Sequence, residues 1–111
     1  MEAHVAPPAE REVADSLVAG LRAQLPATFP LAGIEVAVGE LVEIDHTALT
    51  AALAALLPGV EVRLSPVAAL YRCLDCGVEY PADEFPCPAC GSGRHEVVHG
   101  HELGITRAWG R

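Results

Sequence analysis

The sequence predicts an α+β fold: a small α/β unit with two helices on a three-stranded sheet, into which a compact four-cysteine module is inserted. Three observations point to it. Two stretches carry apolar residues at three- and four-residue spacing, and three others alternate apolar with polar residues. Two Cys-X-X-Cys pairs fall between the second and third of those extended stretches.

The elements follow in order. The first eight residues close on Pro7-Pro8 without a periodic apolar pattern and read as a flexible leader. From Ala9 to Leu25, Val13, Leu17 and Leu21, joined by Ala14, Val18 and Leu25, form one helical stripe, with Glu10, Arg11, Asp15 and Arg22 facing elsewhere; Pro26 ends the helix. Within Gly33 to Ile44, Ile34, Val36 and Val38 alternate with Glu35 and Ala37, the period of a strand with one buried face. Asp45 suits an N-cap for a second helix running to Leu57, where Leu49, Ala52, Leu53, Leu56 and Leu57 form the buried side and Pro58-Gly59 the stop. Val60, Val62 and Leu64 define a second strand, and Glu96 to Trp109 is extended again, with Leu103 and Ile105 on one face. That last stretch is expected to return to the sheet, beside either earlier strand. The division is then a leader at 1–8, an α/β domain at 9–69 plus 97–111, and the cysteine module at 70–96.

Length and charge narrow the function classes. A chain of 111 residues is the size of one ordinary domain. It has no apolar run near the roughly 20 residues that span a bilayer and no basic segment leading into an apolar one, so a soluble cytoplasmic protein without membrane association is expected. Fifteen acids face seven arginines and no lysine, a formal −8. Such a field repels phosphate backbones, which argues against a nucleic-acid partner.

Cys73-Leu74-Asp75-Cys76 and Cys87-Pro88-Ala89-Cys90 each have glycine directly after, Gly77 and Gly91. Two thiolates three positions apart converge on one ion only if the chain turns sharply, and glycine supplies the backbone conformation that such a turn demands. The four cysteines therefore read as ligands of one zinc ion in a zinc ribbon. Disulfides are disfavoured where thiols are kept reduced, and a redox dithiol would need only one pair. Iron in the same site, as in a rubredoxin-like electron carrier, stays open, because CLDCGVEYPADEFPCPACG resembles those centres too. Four cysteine ligands leave no open position, so zinc there is structural.

The order of elements, with CLDCG through CPACGS followed by GHELGITRAW, resembles the HypA family of nickel metallochaperones over roughly residues 12 to 109. Gly100, Glu102, Leu103 and Ile105 fit the family's closing Gly-X-Glu-Leu-X-Ile strand, and VAVGELVEI is similar to its first strand and turn. The resemblance implies nickel carried to the large-subunit precursor of [NiFe] hydrogenase, in some organisms to urease, together with a HypB-type GTPase and with no reaction catalysed. It also implies a structural zinc and a transient nickel held at an N-terminal Met-His-Glu.

This chain departs from the family at that point, reading Met1-Glu2-Ala3-His4-Val5. The terminal amine of Met1 with amides and the His4 imidazole is the expected nickel site, since amine, amides and imidazole in a square plane suit that ion. In a second alignment Arg11-Glu12 takes the family's His-Glu position, and arginine has no lone pair to give. His46 is expected to be exposed; His95, His99 and His101 cluster after the ribbon, where His99 and His101 could share a face. An adaptor that keeps the zinc ribbon as a protein-docking module without nickel is the competing function.

Overall fold

The computed structural model describes residues 8–111. Its elements are α1 (Pro8–Gln24), β1 (Leu31–Gly39), α2 (His46–Leu56), β2 (Glu61–Val67), β3 (Leu70–Cys73), β4 (Glu79–Pro81), a 3₁₀ turn at Ala82–Glu84, β5 (His95–His99) and β6 (Leu103–Gly110). They form two three-stranded sheets, ordered β2-β1-β6 and β4-β3-β5. The chain divides into two compact units. One, here the helical unit, comprises among the described residues 8–36, 44–65 and 104–111; the other, the cysteine unit, comprises 37–43 and 66–103.

The helical unit is organised by burial. Ala14 and Val18 of α1, Ile34 and Val36 of β1, and Leu49 and Leu53 of α2 are all buried, as the two periodicities require. Packing of α1 against α2 is reinforced by two charged side chains of α1. Glu10 is buried and accepts the Asp45 N–H at 2.7 Å, at the start of α2, while Arg22 donates to the Leu56 carbonyl at 3.2 Å, at its end. An anion thus meets the N-terminal end of the α2 dipole and a cation its C-terminal end, and the two helices run the same way. Asp45 caps α2 as expected, its Oδ1 accepting the Ala48 N–H at 2.9 Å. Glu10 and Arg22, read from the sequence as facing away, are instead the clasp. An amphipathic pattern assigns charge to solvent and cannot see the bare ends of a neighbouring helix.

The last strand, β6, lies beside β1, one of the two places expected for it. Arg111 N–H donates to the Pro30 carbonyl at 2.8 Å, Thr106 Oγ1 to the Glu35 carbonyl at 3.3 Å, and Gly39 N–H to the Glu102 carbonyl at 2.6 Å, so the strands are antiparallel. Trp109 lies across Gly33, where any side chain would overlap the indole, and reaches Arg63 of β2, whose guanidinium sits 4.9 Å from the ring centroid; Arg107 approaches at 5.4 Å.

The single extended stretch expected from Glu96 to Trp109 is two strands in two sheets. Residues His95–His99 pair antiparallel with β3, Cys73 opposite His95 and Tyr71 opposite Val97, and only Leu103–Gly110 joins β1. The break falls at Gly100, whose φ of 126° lies in a region that side chains rarely adopt. Glu102 fixes it: its carboxylate accepts the Gly100 N–H at 2.7 Å and the His99 Nδ1–H at 2.8 Å. The expected strand from Gly33 to Ile44 likewise ends early, at Gly39, where Glu40 turns away and accepts the Ala69 N–H through its side chain at 2.7 Å. Gly39 passes so close to the Gly100 carbonyl that no Cβ fits there.

Candidate metal centre

Two identical turns build the centre. In the first, the Gly77 N–H donates to the Cys73 carbonyl at 2.9 Å and the Cys73 N–H to the Val78 carbonyl at 2.8 Å; in the second, Gly91 N–H donates to the Cys87 carbonyl at 2.8 Å and Cys87 N–H to the Ser92 carbonyl at 3.0 Å. Gly77 and Gly91 have φ of 82° and 79°, so each closes its turn in the left-handed region expected of it. The first cysteine of each pair is buried and the second exposed.

All four sulfurs lie within 4.8 Å of one another. Cys73 and Cys90 Sγ are 3.6 Å apart, as are Cys76 and Cys87 Sγ. Four ligands about 2.3 Å from a central zinc span edges of about 3.8 Å when tetrahedral, so this donor set fits one such ion with little adjustment. Beneath it Tyr80 is buried with Cys73 and Cys87, and Tyr71 packs against that cluster. Asp75 holds the two turns together, taking bonds from Ser92 Oγ and from Arg94 Nη1, the latter at 2.5 Å.

The electrostatics favour a cation. Cys73 accepts the Cys76 and Asp75 N–H groups, each at 3.4 Å. The Cys76 amide foremost lowers the Cys73 thiol to about 6 against the opposing effect of burial, with the Asp75 amide assisting. Cys90 behaves oppositely: the Ser92 amide acts to lower it, but hydrogen bonding with Cys73, burial and the other cysteines together raise it to about 12. The Cys73 thiolate forms readily while Cys76 and Cys90, both pushed up, hold their protons, and a divalent ion shared by the sulfurs favours their release.

None of the described histidines joins a group of three or more potential metal ligands. His46 is exposed at the start of α2, as expected. His95 Nδ1 donates to the Gly93 carbonyl at 3.0 Å, and His99 is committed to Glu102. Among the described residues the four cysteines are the one group of three or more such side chains close enough to share an ion. Met1 and His4 lie outside the described residues. The role of Glu102 had a sequence signal in the Gly-X-Glu-Leu string, whereas nothing local marks Glu10 or Glu40.

Comparison with known proteins adds a family model described as hydrogenase/urease nickel incorporation, metallochaperone, hypA, which matches residues 9–108. A hydrogenase maturation factor HypA of Geobacter metallireducens is 33% identical over 89 residues, covering 78% of this chain and 79% of its own length. One of the same description from Geotalea uraniireducens is 39% identical over 51 residues, an alignment spanning less than half of either chain, 44% of this one and 46% of the relative. The solution structure of the Ni metallochaperone HypA from Helicobacter pylori superposes with a TM-score of 0.64 at 18% identity, over 89% of this chain and 94% of that one. A second HypA solution structure gives 0.63 at 12% identity, over 94% and 93%. At those identities the likeness is one of fold.

Proposed function

The chain belongs to the HypA family, and from that premise we propose that it carries nickel during maturation of [NiFe] hydrogenase, with zinc as a resident structural ion held by Cys73, Cys76, Cys87 and Cys90. The observation that carries this reading is the four-sulfur cluster set in a chain that the family model matches almost end to end. The sulfurs would saturate a tetrahedral ion, so the centre suits holding a fold and does not suit binding substrate or cargo. Delivery therefore needs a second place for nickel. We assign it to the Met1 amine and the His4 imidazole, on the chemistry of those donors alone. The recipients in this reading are a hydrogenase large-subunit precursor and a HypB-type GTPase, in a cytoplasm that keeps the thiols reduced. No helix among the described residues is long and apolar enough to cross a membrane.

Calorimetric nickel titration of the zinc-loaded, untagged protein tests the assignment. Wild type and His99→Ala are expected to bind one nickel, while His4→Ala and a form tagged ahead of Met1 bind at least tenfold more weakly, a loss of about 1.4 kcal/mol. Unchanged binding by His4→Ala with loss in His99→Ala would move the site to β5. Binding no tighter than about 1 mM in any form, near 4 kcal/mol, would favour the adaptor without nickel.

A further inference from the structure

The large apolar side chains exposed among the described residues, Leu74, Val78, Phe85 and Val97, all belong to the cysteine unit. Two of them border a preassembled aromatic platform. The Tyr71 ring stacks on His95 with centroids 4.2 Å apart and planes 26° apart, and Phe85 meets Tyr71 edge-on at 6.3 Å and His95 at 5.2 Å. Val97 lies directly opposite Tyr71 in the β3–β5 ladder. The platform is held from behind: Tyr71 also meets the buried Tyr80 edge-on at 5.8 Å, and His95 is pinned by its bond to the Gly93 carbonyl. Phe85 nevertheless remains 48% exposed and Val97 37%.

Charge says what such a surface would accept. Among the described residues the cysteine unit holds eight acids against two arginines, whereas the helical unit holds six against five. Both arginines are already engaged. Arg72 bridges Glu79 at 2.8 Å and Glu96 at 2.6 Å, and Arg94 is bound to Asp75. Asp83 and Glu84, immediately before Phe85, are exposed and take part in no ion pair among the described residues. Four thiolates around a divalent ion would add further negative charge.

We infer that this platform docks a cationic segment of a partner protein in which arginine or lysine alternates with apolar side chains. Apolar anchors would cover Phe85 and Val97, and the cations would meet Asp83, Glu84 and the π faces of the rings. A second copy of this chain is a poor occupant, because it would bring like-charged surfaces together; a nucleic acid is poorer still. The inference does not depend on whether nickel is carried.

The ¹⁵N-labelled, zinc-loaded full chain is titrated with acetyl-Arg-Leu-Lys-Phe-Arg-amide and with the analogue carrying glutamate for each cation. The cationic peptide is expected to shift the amides of Tyr71, Phe85, His95 and Val97. Raising salt, or the double change Asp83→Asn with Glu84→Gln, should weaken it by about threefold or more, and Phe85→Ser by about tenfold. Unchanged zinc content and unchanged shifts around Cys73 establish that Phe85→Ser is folded; Val97→Thr, at a second position, should weaken binding in the same sense. Equal binding of the acidic analogue, shifts confined to the helical unit, or no binding of either peptide would overturn the proposal. So would the same amides shifting with protein concentration alone, which would place a second copy on the platform.

Discussion

The two units reach a fold by different physics. The helical unit buries aliphatic side chains from two helices and a strand, and its formal charge is nearly balanced. The cysteine unit has a ribbon core of Cys73, Tyr80 and Cys87, leaves Leu74, Val78, Phe85 and Val97 exposed and carries most of the negative charge. What it lacks in apolar core it can recover from a metal, since bound zinc contributes folding free energy directly. On the functions proposed above, the difference would separate tasks: aliphatic burial would secure a scaffold whatever the metal supply, and a unit held by metal would leave its surface free for contact with other proteins.

The comparison breaks most visibly at the sulfurs. Cys87→Ala, or removal of zinc by a chelator, should cost the cysteine unit on the order of 10 kcal/mol and unfold it. Amide exchange should then show protection lost for residues of β3, β4 and β5 while Leu49 and Leu53 stay protected; simultaneous loss in both places would contradict two separately stabilised units. The reverse experiment is smaller. Leu53→Ala, at a fully buried site, should cost about 2 to 5 kcal/mol in chemical denaturation of the helical unit while leaving zinc content unchanged. Glu10→Ala removes the acceptor for the Asp45 N–H and should cost about 1 to 3 kcal/mol by the same measurement, well above an exposed control such as Glu12→Ala.

The smallest effect is a dependence on acid. The Gly100 N–H foremost, and His99 after it, hold the Glu102 carboxyl down to about 2 from an ordinary 4.5. A carboxyl lowered on folding stabilises the fold fully above its unfolded value and loses that contribution as pH falls through the folded one. Stability should therefore decline between about pH 4.5 and 2, and Glu102→Gln should flatten that part of a denaturation-against-pH curve. An identical curve for the variant would remove Glu102 from the account.

Much of this was legible in the sequence because the signals were local. The four cysteines with their glycines gave the turns and the convergence, Asp45 gave its cap, and the alternation around Ile34 gave the buried face of β1. The rest needed contacts distant in sequence. Nothing near Glu10 says that its carboxylate reaches Asp45, 35 positions on. The stretch from Glu96 to Trp109 reads as one strand because both pieces are extended, and only the pairing of His95 with Cys73 shows that its first part belongs to the other sheet. Nothing local in the sequence marks Phe85 and Val97 as exposed, which only the fold around them shows.

The central claim is that two metals occupy two different kinds of site, and X-ray absorption at both edges of protein loaded with zinc and nickel tests it most directly. The zinc edge should show four sulfurs at about 2.3 Å and the nickel edge only nitrogen and oxygen neighbours. Sulfur around nickel with zinc displaced, or iron in the four-sulfur site of the protein as purified, would contradict it.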